Sequence, residues 1–228
     1  MPDAINSVVP KTAILIDGAF FIKRIRYLKG DKDISAEKMS RLILKASLAH
    51  LKKQKRPTQS LYRIFFYDSK PPDTTICNPI NHKRETYSKL PESRFRDELH
   101  EQLKSVRKVA LRLGELSVQN SWVINPIQTK KLIQGKATIE ELDPQHVKPV
   151  VTQKGVDIKI GLDIASLSHQ RDVDQIILIS GDSDFVPAAK MARRSGIDFI
   201  LDPMWNHIKE GLNEHIDGIQ TIWPKPES

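Results

Sequence analysis

Gln175-Ile176-Ile177-Leu178-Ile179-Ser180-Gly181-Asp182-Ser183-Asp184-Phe185 is the stretch on which the fold turns. Its apolar, β-branched opening reads as a strand from Gln175 to Ser180 buried on both faces, as in a parallel sheet. Gly181 and Asp182 stop it, and Ser183 to Ser195 reads as a helix. Further on, Asp198–Leu201 is an expected strand, Asn206–His215 a helix and Ile219–Trp223 a short final strand. Upstream, Gly155–Ser168 reads as a helix. Strands that alternate with helices predict a parallel sheet with helices on both faces, which binds its ligand at the carboxyl ends of the strands.

The same pattern opens the chain. Thr12-Ala13-Ile14-Leu15-Ile16 is a short apolar strand stopped by Asp17-Gly18. Ala19–Tyr27 reads as a helical turn or short helix. Ser35–Lys52 reads as a helix capped by Ser35, with apolar spacing at Leu42, Leu44, Leu48 and Leu51. Leu61–Tyr67 is the second strand. The proline-rich residues 70–91 read as a long loop, Glu92–Leu113 as a charged helix, and Glu115–Asn125 as strand, turn and strand around Asn120-Ser121. Residues 126–153 show no regular pattern, broken as they are by Pro144 and Pro149.

Composition limits the partners. Of 228 residues, 39% are hydrophobic and 28% charged, which fits a globular chain rather than a disordered or collagen-like one. The net charge of +8 is uneven: residues 1–153 hold 28 Lys and Arg against 16 Asp and Glu, residues 154–228 hold 8 against 12. A basic front favours a polyanion, while an acidic last third needs a separate explanation. The one cysteine, Cys77, excludes an intramolecular disulfide or a multi-cysteine metal site, and reads as an incidental thiol. No apolar run is long enough to span a bilayer, and Met1–Lys11 lacks the layout of a secretory leader, so a cytoplasmic location is expected and a membrane partner is not.

The acidic residues fall at telling places. Asp17, Asp182 and Asp184 follow expected central strands, and Asp157 opens the helix before the second of them. Carboxylates crowded at neighbouring strand ends repel one another unless a cation lies between them. Hard ions such as Mg²⁺ or Mn²⁺ suit such oxygen donors, and they polarise phosphates and activate water. Each Asp read singly is also an ordinary helix cap or turn residue. A calcium loop counted from Asp182 fails, since Pro187 and Arg193 stand where Gly and Glu are needed. No dinucleotide-binding, P-loop or nucleophile-elbow motif is present. The seven histidines show no paired ligand spacing, and most are expected at the surface.

Ile14-Leu15-Ile16-Asp17-Gly18, Lys154-Gly155-Val156-Asp157 with Asp163, and Ile179-Ser180-Gly181-Asp182-Ser183-Asp184-Phe185 together resemble the NYN domain family of PIN-like nucleases. The stretch Arg194-Ser195-Gly196-Ile197 continues the likeness. The resemblance implies one domain over 1–228, a three-layer α/β/α sandwich with a mainly parallel sheet, extended by a basic middle segment at about 70–150. It implies a metal-dependent endoribonuclease using Mg²⁺ or Mn²⁺, with Asp17, Asp157 and Asp182 facing the metal and Asp184 a further acidic member. Ser180 would orient ligands or water, Lys154 would meet carboxylate or phosphate, and Asp163, about 600° around the helix from Asp157, would be structural or supporting. Ala19-Phe20-Phe21 departs from the Asn that many members carry just after the first Asp.

The partner implied is RNA, with tRNA, rRNA and mRNA undistinguished and a homodimer possible. Arg94, Arg96, Lys104, Arg107, Lys108 and Arg112 are the candidate nucleic-acid track. The competing reading makes them a solvated face paired with Asp97, Glu98 and Glu101. Three functions remain open: the metal-dependent ribonuclease, a non-catalytic RNA-binding or regulatory module of the same fold, and a hydrolase of nucleotides or small phosphates.

Overall fold

The computed structural model describes residues 9–208 and 210–226. Residues 1–8 of the stretch read as lacking a leader, and Lys209 of an expected helix, lie outside them. In chain order the elements are β1 (Thr12–Asp17), α1 (Gly18–Lys29), α2 (Ala36–Lys53), β2 (Leu61–Lys70), β3 (Thr75–Cys77), β4 (Arg84–Thr86), α3 (Pro91–Lys104), β5 (Val109–Ile124), α4 (Pro126–Ile133), β6 (Val147–Lys154), α5 (Val156–Gln170), β7 (Gln175–Ile179), α6 (Val186–Arg194), β8 (Asp198–Asp202), α7 (Glu210–Asn213) and β9 (Gly218–Ile219). They gather into two compact units. The first comprises residues up to 68, 98–113 and 155 onward; the second comprises 69–97 and 114–154.

The first unit is the α/β sandwich expected from the sequence. β1 lies between β2 and β7, β8 follows β7, and β9 follows β8, all pairing parallel. Every side chain from Ala13 to Ile16 and from Ile176 to Ile179 is fully buried, which is why these runs are apolar throughout rather than alternating. One face of the sheet (Ala13, Leu15, Phe65, Tyr67, Ile176, Leu178) packs with Val156, Ile160 and Ile164 of α5 and Phe185, Ala189 and Ala192 at α6. The alternate residues Ile14, Ile16, Ile64, Phe66, Ile177 and Ile179 are buried on the opposite face. Phe21, Ile22 and Ile25 of α1 and Met39, Leu42, Ile43 and Leu51 of α2 are buried too, while Leu48 is exposed. Ser35 caps α2 by accepting from the Lys38 N–H at 3.2 Å.

The second unit departs most from expectation. Residues 70–91 are not a plain loop: β3 and β4 form an antiparallel hairpin within them. In the first unit, the charged helix ends at Lys104, not Leu113: Lys108 takes a left-handed φ of 67° and Val109–Leu113 already belongs to β5. Glu115–Asn125 is not strand, turn and strand. β5 runs through it against β6, with an irregularity between Val118 and Trp122. Pro149, opposite Trp122, has no N–H to give the ladder there. In the first unit α1 is longer than expected, whereas the last helix shrinks to Glu210–Asn213 and the last strand to Gly218–Ile219.

Candidate active site

The chain leaves β1 at Asp17 and turns straight into α1. Asp17 caps that helix, its Oδ1 accepting from the Phe20 N–H at 3.0 Å. The turn is possible only because residue 18 is glycine: a Cβ there would lie 2.6 Å from the Tyr67 carbonyl oxygen and 2.7 Å from the Phe66 ring. One strand over, β7 ends at Ile179. Buried Ser180 then donates to Asp17 Oδ2 at 3.4 Å and accepts from the Asp182 N–H at 3.2 Å. Asp182 in turn caps the next turn of helix by accepting from the Asp184 N–H at 3.0 Å. Asp17 and Asp182 thus both act as caps, the role each takes when read singly.

The electrostatics tie the four aspartates together. Burial, the largest influence, pushes the Asp17 carboxyl up to about 6; the Phe20 N–H opposes it, the charge of Asp157 adds to it, Ser180 opposes it and Asp68 adds to it. Asp157, in the first turn of α5, is more open to solvent. Partial burial raises it too, followed by the charges of Asp182 and Asp184. Gly155, which starts α5 with a φ of 78°, sets the position of that first turn. A mainly apolar cavity of about 420 Å³ begins at Asp157 and Asp184 and runs between α5 and α6 past Gly161, Ala188 and Met191.

Aspartates at or near strand ends are more numerous than the motifs indicated, and the sheet sorts them. Asp68, near the end of β2, bonds to buried His100 at 3.0 Å, and Asp202, the last residue of β8, bonds to buried His50 at 2.9 Å. These two histidines are the exceptions to the expectation that most lie at the surface; the other five are exposed or half-buried. Asp17 and Asp182 have no cationic partner among the described residues. The signal for Asp68 and Asp202 was available in the sequence, since each follows an apolar strand run as Asp17 does.

Asp163 stands apart from the cluster, as its helical angle indicates. It accepts from the Tyr67 hydroxyl at 2.8 Å and the Arg112 guanidinium at 2.9 Å. Burial, then Asp163, pushes the Tyr67 phenol far above its ordinary value. Arg112 also lies 5.3 Å over the Phe65 ring, so it serves the core of this unit. Lys104 pairs with Glu101 and Arg96 with Glu92, while Lys108 bonds the Leu61 carbonyl. Arg94 and Arg107 are exposed, with no ion-pair partner among the described residues. Lys154 is exposed at the end of β6. Of the basic track, therefore, part is paired within the protein and part is open.

Whether the carboxylates suit a divalent ion follows from their donors. The charge of Asp157 raises Asp17, and the charges of Asp182 and Asp184 raise Asp157, the behaviour of hard oxygen donors that a cation would relieve. Among the described residues no three His, Cys, Asp or Glu side chains form a group able to close around a metal. This donor set fits an ion such as Mg²⁺, which is commonly held by one or two carboxylates and otherwise by water and substrate.

A mainly parallel α/β/α sandwich with carboxylates at adjoining strand ends is a PIN-like, nuclease-type fold. The NYN domain model matches residues 11–204, and the chain belongs to the NYN domain family. An uncharacterized protein of Methanocaldococcus jannaschii is 26% identical over 107 residues, 47% of this chain and 42% of that protein. The chain thus spans less than half the length of this curated relative. A crystal structure of a protein of unknown function from Vibrio parahaemolyticus superposes with a TM-score of 0.49 at 16% identity, covering 95% of both chains. No helix among the described residues is long and apolar enough to cross a membrane.

Proposed function

We propose that this NYN domain is a metal-dependent endoribonuclease that hydrolyses RNA phosphodiester bonds at its aspartate cluster. The observation that carries the reading is Asp17: a carboxylate with no cationic partner among the described residues, pushed up to about 6 by burial and by Asp157, beside the end of β7. Of Asp17, Asp157 and Asp182, one or two at a time would hold Mg²⁺ or Mn²⁺, with water and substrate completing the shell. Bound there, the ion would supply a Lewis acid for a phosphate oxygen and a water of lowered pKa. Ser180 fixes the orientation of the Asp17 carboxylate through its hydroxyl. Asp184, exposed at the mouth of the apolar cavity, adds negative charge next to Asp157.

Arg94 and Arg107 are the members of the basic track best placed to meet phosphates, and Lys154 is a further exposed cation. The proposal takes residues 1–228 as one NYN domain, its segment 70–150 devoted to RNA contact, at work in the cytoplasm. A binding-only role has one observation in its favour. Phe20 follows Asp17 where a polar group is common in the family, and its ring presses on Gly181, where a Cβ would lie 2.5 Å from it.

RNA cleavage followed across a Mg²⁺ and Mn²⁺ titration separates the two. The ribonuclease reading expects metal-dependent cutting that Asp182→Asn reduces by more than about a hundredfold without loss of fold. Cutting by the variant at the wild-type rate overturns the assignment. Salt-sensitive binding by the wild type with no cleavage in either metal supports the binding module.

A further inference from the structure

The second unit contains a cavity that the aspartate chemistry does not use. It measures about 310 Å³, the scale of a single nucleoside, and its wall includes Thr75, Cys77 and Arg84 of the β3–β4 hairpin and Val118, Gln119 and Trp122 of β5. In a regular strand Val118 and Trp122 share a face and Gln119 points to the other. The irregularity between Val118 and Trp122 breaks that alternation, so all three border one cavity. Bulges commonly re-aim a side chain in this way.

The chemistry of the wall is specific. Trp122 is half-buried, and its indole N–H has no hydrogen-bond partner among the described residues. Arg84 is exposed and has no ion-pair partner among them. An aromatic ring beside an uncommitted guanidinium and an amide is the combination that takes a flat ring carrying an anion. The ring stacks and the guanidinium meets phosphate; the Gln119 amide, which donates to Thr152 Oγ1 and accepts from Ser121 Oγ at 3.4 Å each, keeps a second N–H and a second lone pair for a base edge.

We propose that this cavity is a nucleobase subsite that holds one unpaired base of a single-stranded RNA. Trp122 stacks on the base, Arg84 binds a flanking phosphate and Gln119 faces the base edge. The inference rests on the reading of the chain as RNA-directed, but not on whether it cuts. A duplex is excluded from the subsite because its bases are already stacked and their faces covered.

Cys77 makes the test local. It is the only cysteine in the chain and it borders this cavity, so its alkylation reports on this place alone. The rate of maleimide reaction is measured on the full chain carrying Asp182→Asn, with a single-stranded hexaribonucleotide, its duplex, or a nucleoside monophosphate added. Protection by the single strand supports the proposal, whether or not the monophosphate protects as well. Protection by the monophosphate alone, equal protection by the duplex, or no protection overturns it.

Trp122→Ala should weaken protection about tenfold and Trp122→Phe much less, since a ring remains. Arg84→Gln, a change to an exposed side chain, should weaken it and lower the salt slope by about one phosphate contact. Unchanged protection in both Trp122→Ala and Arg84→Gln contradicts the assignment. A wild type that protects Cys77 but cuts no RNA removes the nuclease reading and leaves the subsite. One that cuts RNA with Cys77 unprotected does the reverse.

Discussion

The two units carry their polar chemistry in different ways. In the first, the aspartates are part of the architecture: Asp17 caps a helix at the end of a fully buried strand, and Asp68 and Asp202 are bonded to buried histidines. In the second, Arg84 and Trp122 border a surface cavity on a short hairpin and an irregular strand. Groups built into a core couple function to stability, because each is held in an environment it did not have in the unfolded chain. Groups on a surface wall alter binding with little effect on folding. The first unit should therefore respond to substitution in its unfolding curve and the second mainly in its ligand affinity.

The largest effect is expected at Gly18. Gly18→Ala drives a Cβ against the Tyr67 carbonyl, a backbone atom that cannot swing aside, and should cost about 3 kcal/mol in urea unfolding. An unchanged midpoint would mean that the β1–α1 turn is looser than its contacts indicate. Gly181→Ala meets only side chains, those of Phe20 and Asn206, and is the milder control.

Asp17→Asn should act in the opposite direction. Folded Asp17 keeps its proton to about pH 6, whereas the unfolded chain releases it near the ordinary carboxyl value of 3.8. Folding therefore takes up a proton between these values, and wild-type stability falls as pH rises through that window. Asn still caps α1 but carries no charge. Without metal, the variant should be more stable than wild type above pH 6 by up to ~3 kcal/mol, with the gap closing towards pH 4. A gap independent of pH would show that the Asp17 charge is not its source.

Arg112→Ala comes next. It leaves half-buried Asp163 with only the Tyr67 hydroxyl and removes a cation from the Phe65 ring, at a cost of about 2 kcal/mol. If Arg112 were instead a free member of an RNA track, the loss would appear in binding and not in unfolding. The smallest effect belongs to the second unit: Arg84→Gln should change stability by less than about 0.5 kcal/mol.

The same contrast explains what the sequence made legible. β1, β2, β7 and β8 are buried on both faces, so their apolar runs are continuous and easily read, and two of the aspartates that follow them, Asp17 and Asp182, belong to the candidate site. The second unit has no such runs. β3 and β4 are three residues each, too short for a periodic signal, and their prolines and polar neighbours look like a loop. The end of α3, in the first unit, is hidden for another reason: Lys104–Leu113 holds no glycine or proline, and the left-handed position after the helix is taken by Lys108. The irregularity in β5 shows only in its pairing with β6, later in the chain and beyond the reach of local patterning.

His50 and His100 were missed for a related reason. A buried histidine is identified by the carboxylate it meets, and Asp202 and Asp68 lie 152 and 32 residues away in sequence. Helical geometry sets Asp163 off the Asp157 face, but its partners Tyr67 and Arg112 come from other parts of the chain and leave no local signal. Part of the basic track proved to be paired internally, as the competing reading of that helix allowed, although with Glu92 and Glu101 rather than the full set of acids expected.

The central claim is that Asp17 and its neighbours form a carboxylate cluster that a divalent cation relieves. Thermal unfolding at pH 7.5, with and without Mn²⁺, tests it without reference to any RNA. The account predicts that Mn²⁺ raises the Tm of the wild type and leaves that of Asp17→Asn nearly unchanged, because binding to the folded state alone stabilises it. Equal shifts in the two proteins, or none in the wild type, would contradict it.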